Sequence, residues 1–399
     1  MKSLKPAIEG GTPVRKEFLA FGSPDIQQEE IDEVVDTMKS GWLGTGPKTT
    51  MFEDQFADYK GIDHAIGLSS CTAALHLGLN SLKLQPGDEV ISTDFTFTAS
   101  ISTIIHNQLK PVLCDAEMKT QNMDWTQIEK NITPRTRVIL PVHMCGIPCN
   151  MDAIMDIASR YNLFVIEDCA HAIETTYNGK HAGTFGDMGA FSFYVTKNIA
   201  CGEGGMLITN NNNIADTVRT TSLHGMSKNA HTRYGSGGFA HYQVLSAGYK
   251  YNMMDLVASI GIHQLKRVEE NWKRREEISN KYKEAFKVLP IYVPAKTPKG
   301  VKNGHHLFTI QLKLDRLRIN RDFVLSALEE EGIGTGVHYK AIHTHPYYSN
   351  TFGWNAKDFP NAQWLSDRTL SLPLSSKLTD KDVDNVIDAV TKILIYYRR

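Results

Sequence analysis

The chain has 399 residues, 41% apolar and 22% charged, with a formal net charge of −1. That length predicts about two or three domains at roughly 150 residues each, fewer if one α/β unit is large. The charge balance gives no pull toward nucleic acid or an anionic membrane, and no uninterrupted apolar run approaches the roughly 18 residues that span a bilayer.

The N-terminal stretch "MKSLKPAIEGG" lacks the apolar core of a signal peptide, so a cytoplasmic protein is expected. From residue 64 to 210 short β-rich runs alternate with helical patterns. "HAIGLSS" (64–70) reads as a strand and "TAALHLGLNSL" (72–82) as a helix; "DEVISTDF" (88–95) is a strand, and Thr98 to about Asn107 a helix. "KPVLCDA" (110–116), "TRVILPVHM" (136–144), "LFVIEDC" (163–169), "GAFSFY" (189–194) and "GGMLITN" (204–210) continue the strands. Near-continuous Val/Ile/Leu runs alternating with helices predict a parallel sheet covered on both faces. Such sheets place ligands at the carboxyl ends of their strands.

After about residue 265 the texture changes. "LKRVEENWKRREEISNKYKEAF" (265–286) reads as a long charged helix with a solvated face. "HHLFTIQLK" (305–313), the helix "NRDFVLSALEEEG" (320–332) with Gly332 as its stop, and "TDKDVDNVIDAVTKIL" (379–394) follow. Thr379 with Asp382 makes a helix start. The division expected is a large ligand-binding domain over 1–265 and a smaller α+β domain over 266–399.

The cysteines, Cys71, Cys114, Cys145, Cys149, Cys169 and Cys201, lie in apolar segments without framework spacing. Cys145 and Cys149 form a lone C-x3-C near His143; with no second ligand pair this reads as packing, and no metal site is expected.

Three strand ends carry chemistry. In "GLSSCTAALHL" Ser and Thr stand where a helix begins, either as ordinary caps or as part of an anion site made by its free amides. No G-x-G-x-x-G follows this strand and no P-loop occurs. In "VIEDCAHA", Asp168 ends an apolar strand, where burial would raise its pKa unless it is paired or functional; His171 follows three residues on. In "FSFYVTKNIACGEGG" (191–205), Lys197 lies between an aromatic run and a glycine-bearing one, with Ser192 five residues before it. An amine of ordinary pKa about 10.4 is protonated at neutral pH, and a low-dielectric pocket or an imine removes that charge. A helix start for a phosphate, a carboxylate for a ring nitrogen and a lysine for an aldehyde together fit pyridoxal 5′-phosphate.

These motifs, with "SGWLGTGPKTTMFEDQFADYKG" (40–61), "DFTFTAS", "GYKYNMMDLVASIGIHQL", "GVHYKAIHTHPYY" and "LSLPL", resemble the DegT/DnrJ/EryC1/StrS sugar aminotransferases. Those are pyridoxal-phosphate enzymes of fold type I, like aspartate aminotransferase, and the resemblance covers nearly the whole chain. It implies that Lys197 forms the imine and moves protons, that Asp168 partners the pyridinium nitrogen, and that His171 lies near the phenolic oxygen. It further implies that Phe97 stacks on the pyridine ring, and that Ser192, Cys71 and Thr72 contact the phosphate. Many relatives read G-x-N-x-R where this chain has "GYKYN", so either Lys250 or Asn252 is left to reach a partner subunit's phosphate. A homodimer with shared sites is implied with it.

The same resemblance implies transfer of an amino group from glutamate, leaving 2-oxoglutarate, to a nucleotide-linked keto-sugar. The lean is toward a UDP-4-keto-6-deoxy sugar becoming a 4-amino sugar for a surface polysaccharide such as lipopolysaccharide. Candidate sugar contacts are Trp42, Gly44, Thr45, Lys180, His338 and Tyr339. Relatives that carry histidine in place of the lysine are dehydratases, so Lys197 argues for transamination. A dehydratase and a non-catalytic binding protein are the alternatives. "LHGMSKNAHTRYGSGG" (223–238) reads as a polar loop able to cover a site.

Overall fold

The computed structural model describes residues 5–227 and 242–399. Two helices, α1 (Gln28–Ser40) and α2 (Pro47–Lys60), precede the sheet. Pro47 opens α2 and Gly61, at φ 64°, closes it, as expected for a residue that lacks an amide hydrogen and one that tolerates the left-handed region. Then follow β1 (His64–Leu68), α3 (Cys71–Ser81), β2 (Glu89–Thr93), α4 (Thr98–His106), β3 (Lys110–Cys114), β4 (Thr136–Ile139), α5 (Met151–Tyr161) and β5 (Phe164–Asp168). Two short strands, β6 (Thr176–Tyr177) and β7 (Lys180–His181), lead to β8 (Met188–Ser192), β9 (Gly205–Thr209) and α6 (Asn212–Ser222).

The large sheet has the order β1-β9-β8-β5-β4-β2-β3. It is mostly parallel, as expected, with β9 running against both of its neighbours. The segment between β8 and β9 contains no crossover helix, and a chain that returns without one can only pair antiparallel. The strand expected over 136–144 ends at Ile139; Pro141 two residues on has no amide to continue a ladder.

Both faces are covered. Met188 and Leu207 pack beneath Gly78 of α3, while Phe191, pointing the other way, meets Phe56 of α2 at 5.1 Å between ring centroids. That is the two-residue period of a sheet buried on both sides.

The chain continues through α7 (Asp255–Lys266) and α8 (Val268–Ala285). The solvated face expected of the charged helix covers only part of it: Asn271, Arg275, Ser279 and Tyr282 of α8 are buried. Then come β10 (Ile291–Tyr292), β11 (Val301–Lys302), β12 (Phe308–Leu312), α9 (Arg321–Glu330), α10 (Pro346–Phe352), α11 (Pro360–Arg368), β13 (Thr369–Leu372) and α12 (Asp380–Tyr396). β10, β12 and β13 form an antiparallel sheet, packed on Tyr282, Phe286, Val386 and Ile393. Thr379 and Asp382 make the reciprocal cap of α12.

Two segments cross the proposed boundary at residue 265. Near the N-terminus, the amides of Ala7 and Val14 donate to Glu331 of the C-terminal unit, at 2.8 Å each. In the other direction Ala341, Ile342 and Leu365 join the core of the large sheet. Two buried carboxylates fix that second crossing. Asp115 accepts the amides of Asn361 (2.9 Å) and Ala362 (2.8 Å) at the start of α11. Asp94 accepts from the amide of His343 (2.9 Å) and from its ring Nδ1 (2.6 Å).

The His343 Nε2 faces Gln363 Oε1 at 2.9 Å, and Gln363 spends its own amide hydrogen on Asp367. Both ring nitrogens therefore face acceptors, which favours the protonated ring. Burial opposes that charge, but the bonds to Asp94 and Gln363 outweigh it and hold the pKa above its ordinary value. Removing one partner of a buried pair costs about 3 kcal/mol. Asp94→Ala is expected to lower the stability by about that much in urea unfolding followed by fluorescence, with a smaller loss for Asp94→Asn, which keeps one acceptor.

Candidate active site

The carboxyl ends of β5 and β8, the start of α3 and the segment after β8 enclose a cavity of about 310 Å³. Asp168, the last residue of β5, has both carboxylate oxygens engaged. The Ser100 hydroxyl of α4 donates at 2.8 Å and the Ala170 amide at 3.1 Å, while the Cys71 thiol lies at 4.0 Å. Burial pushes the Asp168 pKa up, and the bonds from Ala170 and Ser100 and the charge of Lys197 oppose it without cancelling it. A cation placed against this carboxylate would lower it again.

Lys197 lines the same cavity. Burial brings its amine down to about 8, with Cys71, Asp168 and Cys145 pulling the other way. Its Nζ lies 3.4 Å from Nε2 of His306.

His171 receives the amide hydrogen of Cys145 on Nδ1 (3.3 Å) and contacts the Tyr339 hydroxyl through Nε2 at 3.1 Å. Its pKa is held well below the ordinary value, by burial first and then by Lys197 and His338. A neutral ring that accepts on Nδ1 carries its hydrogen on Nε2, so it donates to Tyr339 and leaves the phenol's own hydrogen free. Phe97 stands just before α4 with 54% of its surface exposed, its ring 5.7 Å from that of Tyr339. His338 stacks on Phe21 and bonds Ser371 Oγ at 2.8 Å, and burial pushes its pKa down to about 4.

The opposite end of the cavity is built by backbone. Ser70 caps α3 by accepting from the Ala73 amide at 3.0 Å, so the amides of Cys71 and Thr72 open the helix, where no partner exists within it. Ser192 pairs with Gly205 in the sheet. A Cβ on Gly205 would stand 2.3 Å from the Ser70 carbonyl carbon and 2.5 Å from the Cys71 nitrogen. Glycine is what lets β9 press against the helix start and keep the amides and the Ser192 hydroxyl on one concave surface. Such a surface accepts a phosphate. The residues present thus fit pyridoxal 5′-phosphate: an anion cradle, a carboxylate short of a cation, an amine near neutrality and an exposed aromatic face.

The remaining expected residues lie elsewhere in the chain. Trp42, Thr45 and Asn252 line a second cavity of about 400 Å³. Here Asn252 Nδ2 donates to Thr45 Oγ1 and Lys250 Nζ to Asn252 Oδ1, each at 2.5 Å, and Trp42 Nε1 donates to the Thr45 carbonyl at 3.0 Å. Gly44 accepts the amide of Asp255 at 3.0 Å. Asp255 in turn caps α2 by accepting from the amides of Gly46 (2.8 Å) and Thr49 (2.9 Å). Lys180, on β7, lies over the Phe185 ring at 4.8 Å and lines neither cavity. Residues 228–238 of the expected covering loop lie outside the described residues.

Sequence reasoning missed Ser100 and His306. Ser100 ends the quoted motif "DFTFTAS", three residues after Phe97, where a helical period already predicts a shared face. His306 carries no local signal.

An amine and a carboxylate across one cavity from a helix start, at the strand ends of a mostly parallel sheet, define a pyridoxal-phosphate enzyme of fold type I. Residues 24–391 match the DegT/DnrJ/EryC1/StrS aminotransferase family, and the chain belongs to that family. It is 48% identical over 381 residues to MJ1066 of Methanocaldococcus jannaschii, covering 96% of this chain and 99% of that one. It is 47% identical to the spore coat polysaccharide biosynthesis protein SpsC of Bacillus subtilis, covering 95% and 98%.

Among solved structures, Spr1654 of Streptococcus pneumoniae, assigned as a sugar aminotransferase, superposes in its PMP form with a TM-score of 0.88 at 33% identity, covering 95% of this chain and 99% of that one. Its PLP form gives 0.87. The cofactor is pyridoxal 5′-phosphate. Gly205→Ala is expected to weaken its retention roughly tenfold, since overpacking of about 1–3 kcal/mol falls on the phosphate cradle; equilibrium titration of the apoprotein with the cofactor measures this.

Proposed function

We propose that this aminotransferase moves the amino group of glutamate to a nucleotide-linked keto-sugar. The observation that carries the reading is the Lys197 amine, brought down to about 8 and standing in one cavity with Asp168. The bound cofactor would supply an aldehyde for the amine and an electron-accepting ring. Asp168 would hold the ring nitrogen's proton, the amides of Cys71 and Thr72 with Ser192 would bind the phosphate, and Phe97 would cover the ring face. His171 and Tyr339 would stand at the ring oxygen.

Freed from the cofactor, the Lys197 amine would take a proton from the donor's Cα and return one to the sugar carbon. A group titrating near neutrality suits both directions. Lysine at this position supports transamination over dehydration.

Trp42, Thr45, Lys250 and Asn252 stand apart from Lys197 in one chain. The reading therefore includes a homodimer in which this cluster completes the partner's cavity, with Lys250 or Asn252 on the phosphate and Trp42 and Thr45 toward the sugar. His338 and Tyr339 would contact the sugar within the chain's own cavity, whereas Lys180 lines neither cavity of the chain. The SpsC relative supports a polysaccharide role. A UDP-4-keto-6-deoxy sugar, yielding a 4-amino sugar, is the substrate proposed.

The test is the visible spectrum of the purified protein with pyridoxal 5′-phosphate. A visible band that bleaches on adding glutamate is expected; a band that ignores glutamate would sink the donor assignment, and no band at all would sink the enzyme reading. Lys197→Ala should lose borohydride fixation of the cofactor and slow the bleaching by roughly 10³-fold. Because only the unprotonated amine accepts a proton, and burial lowers the amine's pKa, the bleaching rate should rise with pH and level off below the range of an ordinary lysine.

A further inference from the structure

His306 precedes β12 in the C-terminal unit, yet its ring packs against His171, a residue that lines the cavity, with centroids 4.3 Å apart. The contacts behind it decide which ring nitrogen carries the hydrogen. Asn198 Nδ2 donates to Glu174 Oε2 at 2.7 Å and to the Gly304 carbonyl at 3.0 Å. Both amide hydrogens are spent, so Oδ1 is left for His306 Nδ1 at 3.0 Å. An amide oxygen only accepts, and Nδ1 therefore donates. In a neutral imidazole that leaves Nε2 bare, and Nε2 is the atom 3.4 Å from Lys197 Nζ. Glu174 is fully buried and tied to the buried Arg275 of α8, so the row runs unbroken from α8 to the amine.

We propose that His306 is a positioning residue for Lys197, whose bare Nε2 accepts a hydrogen from the amine and sets where the amine stands in the cavity. The inference rests on Lys197 being the catalytic amine. A lysine side chain has several rotatable bonds, and an amine free to sample them would lose much of the advantage of a fixed approach to the reacting carbon.

The choice of acceptor matters. A carboxylate in this place would keep the amine protonated, and a cation would repel it. A neutral nitrogen holds the amine in either state. Its 3.4 Å contact is long for a hydrogen bond, and the amine can leave it without breaking a charge pair. The other groups that feel the amine's charge are Asp168, Cys71, Cys145, His171 and His338. Burial, with Lys197, His171, His338 and Arg275 adding to it, holds the His306 pKa well below its ordinary value, so the ring stays an acceptor across the working range.

Two polar substitutions separate positioning from mere packing. His306→Asn keeps a polar group opposite Asn198 but falls short of Lys197, whereas His306→Gln brings an amide oxygen to where Nε2 stood. The first readout is the titration of Lys197 in the cofactor-free protein, from the pH dependence of its acetylation measured by mass spectrometry. His306→Asn should lower the amine's pKa by roughly one unit, the loss of one hydrogen bond to the charged form, and His306→Gln should restore it. Asn198→Ala, which frees the ring to turn a hydrogen toward the amine, should lower it as well.

The second readout is glutamate-driven bleaching, expected to slow roughly tenfold or more in His306→Asn and to recover in His306→Gln, with the glutamate concentration for half-maximal rate little changed. An unshifted titration in His306→Asn and Asn198→Ala overturns the proposal. So does an equal loss in the Asn and Gln variants, which would mean packing alone. If the native protein ignores glutamate while the titration still shifts, the donor assignment falls and the positioning role stands.

Discussion

The structure is arranged around two ionisable groups of opposite kind facing one cavity, a buried carboxylate and a half-buried amine. Asp168 and Lys197 each lose hydration there, and each is driven toward its neutral form, the carboxyl upward and the amine to about 8. An isolated buried charge costs several kcal/mol, and the cost is met only where hydrogen bonds and counter-charges converge. The surroundings supply this selectively. Asp168 receives Ser100 and the Ala170 amide, while the amine is met by His306 and lies near His171, both held neutral. The nearby rings are acceptors and donors of fixed hand rather than charges, which leaves the carboxylate as the site's one strong anion among these groups.

Holding Asp168 at the end of β5 requires the residue before it to be fixed on the other face. Glu167 points away from the cavity by the alternation of a strand. It accepts from the amides of Gly183 (2.8 Å), Phe185 (2.7 Å) and Gly186 (2.9 Å) and from His143 Nε2 (2.9 Å). His143 accepts the Cys149 amide on Nδ1 at 3.1 Å, so its ring is committed on both sides. Asp94 and Asp115 do similar work just past the ends of β2 and β3. By seizing His343 and the start of α11, they draw the segment that carries His338 and Tyr339 against the large sheet. Buried carboxylates that accept several backbone amides act here as the joints of the fold.

The residues of the second cluster belong to the same chemistry in the proposed dimer, yet a single chain keeps them in a cavity of their own. Asp255 caps α2 and so holds the turn that bears Gly44 and Thr45, while the Asn252–Thr45 bond ties the two motifs together. The cluster is therefore tied together by hydrogen bonds within one chain. Exposed Ile31, Val35 and Met38 of α1, with Leu43 close by in the chain, give this side of the molecule an apolar character of its own.

The sequence by itself determined what local pattern can determine. Apolar runs of strand length placed β1 to β5, β8 and β9, with β4 ending five residues early, Thr379 with Asp382 announced α12, and Asp168 and Ser192 stood out as candidates because each ends a strand, Lys197 because it follows one. Motif order carried the family. What it left open were relations between segments far apart in the chain. The antiparallel entry of β9 depends on how a loop returns, and Gly205 matters because of a backbone it meets only in the fold. Arg275, in a helix whose composition reads as solvated, is buried because Glu174 lies across from it. His306, more than a hundred residues from Lys197, has no periodicity or spacing to mark it. Strand and helix propensities act over a few residues, so sequence reveals them; a hydrogen-bond partner, a tautomer or a shifted pKa is set by groups that only tertiary packing brings within a few ångströms.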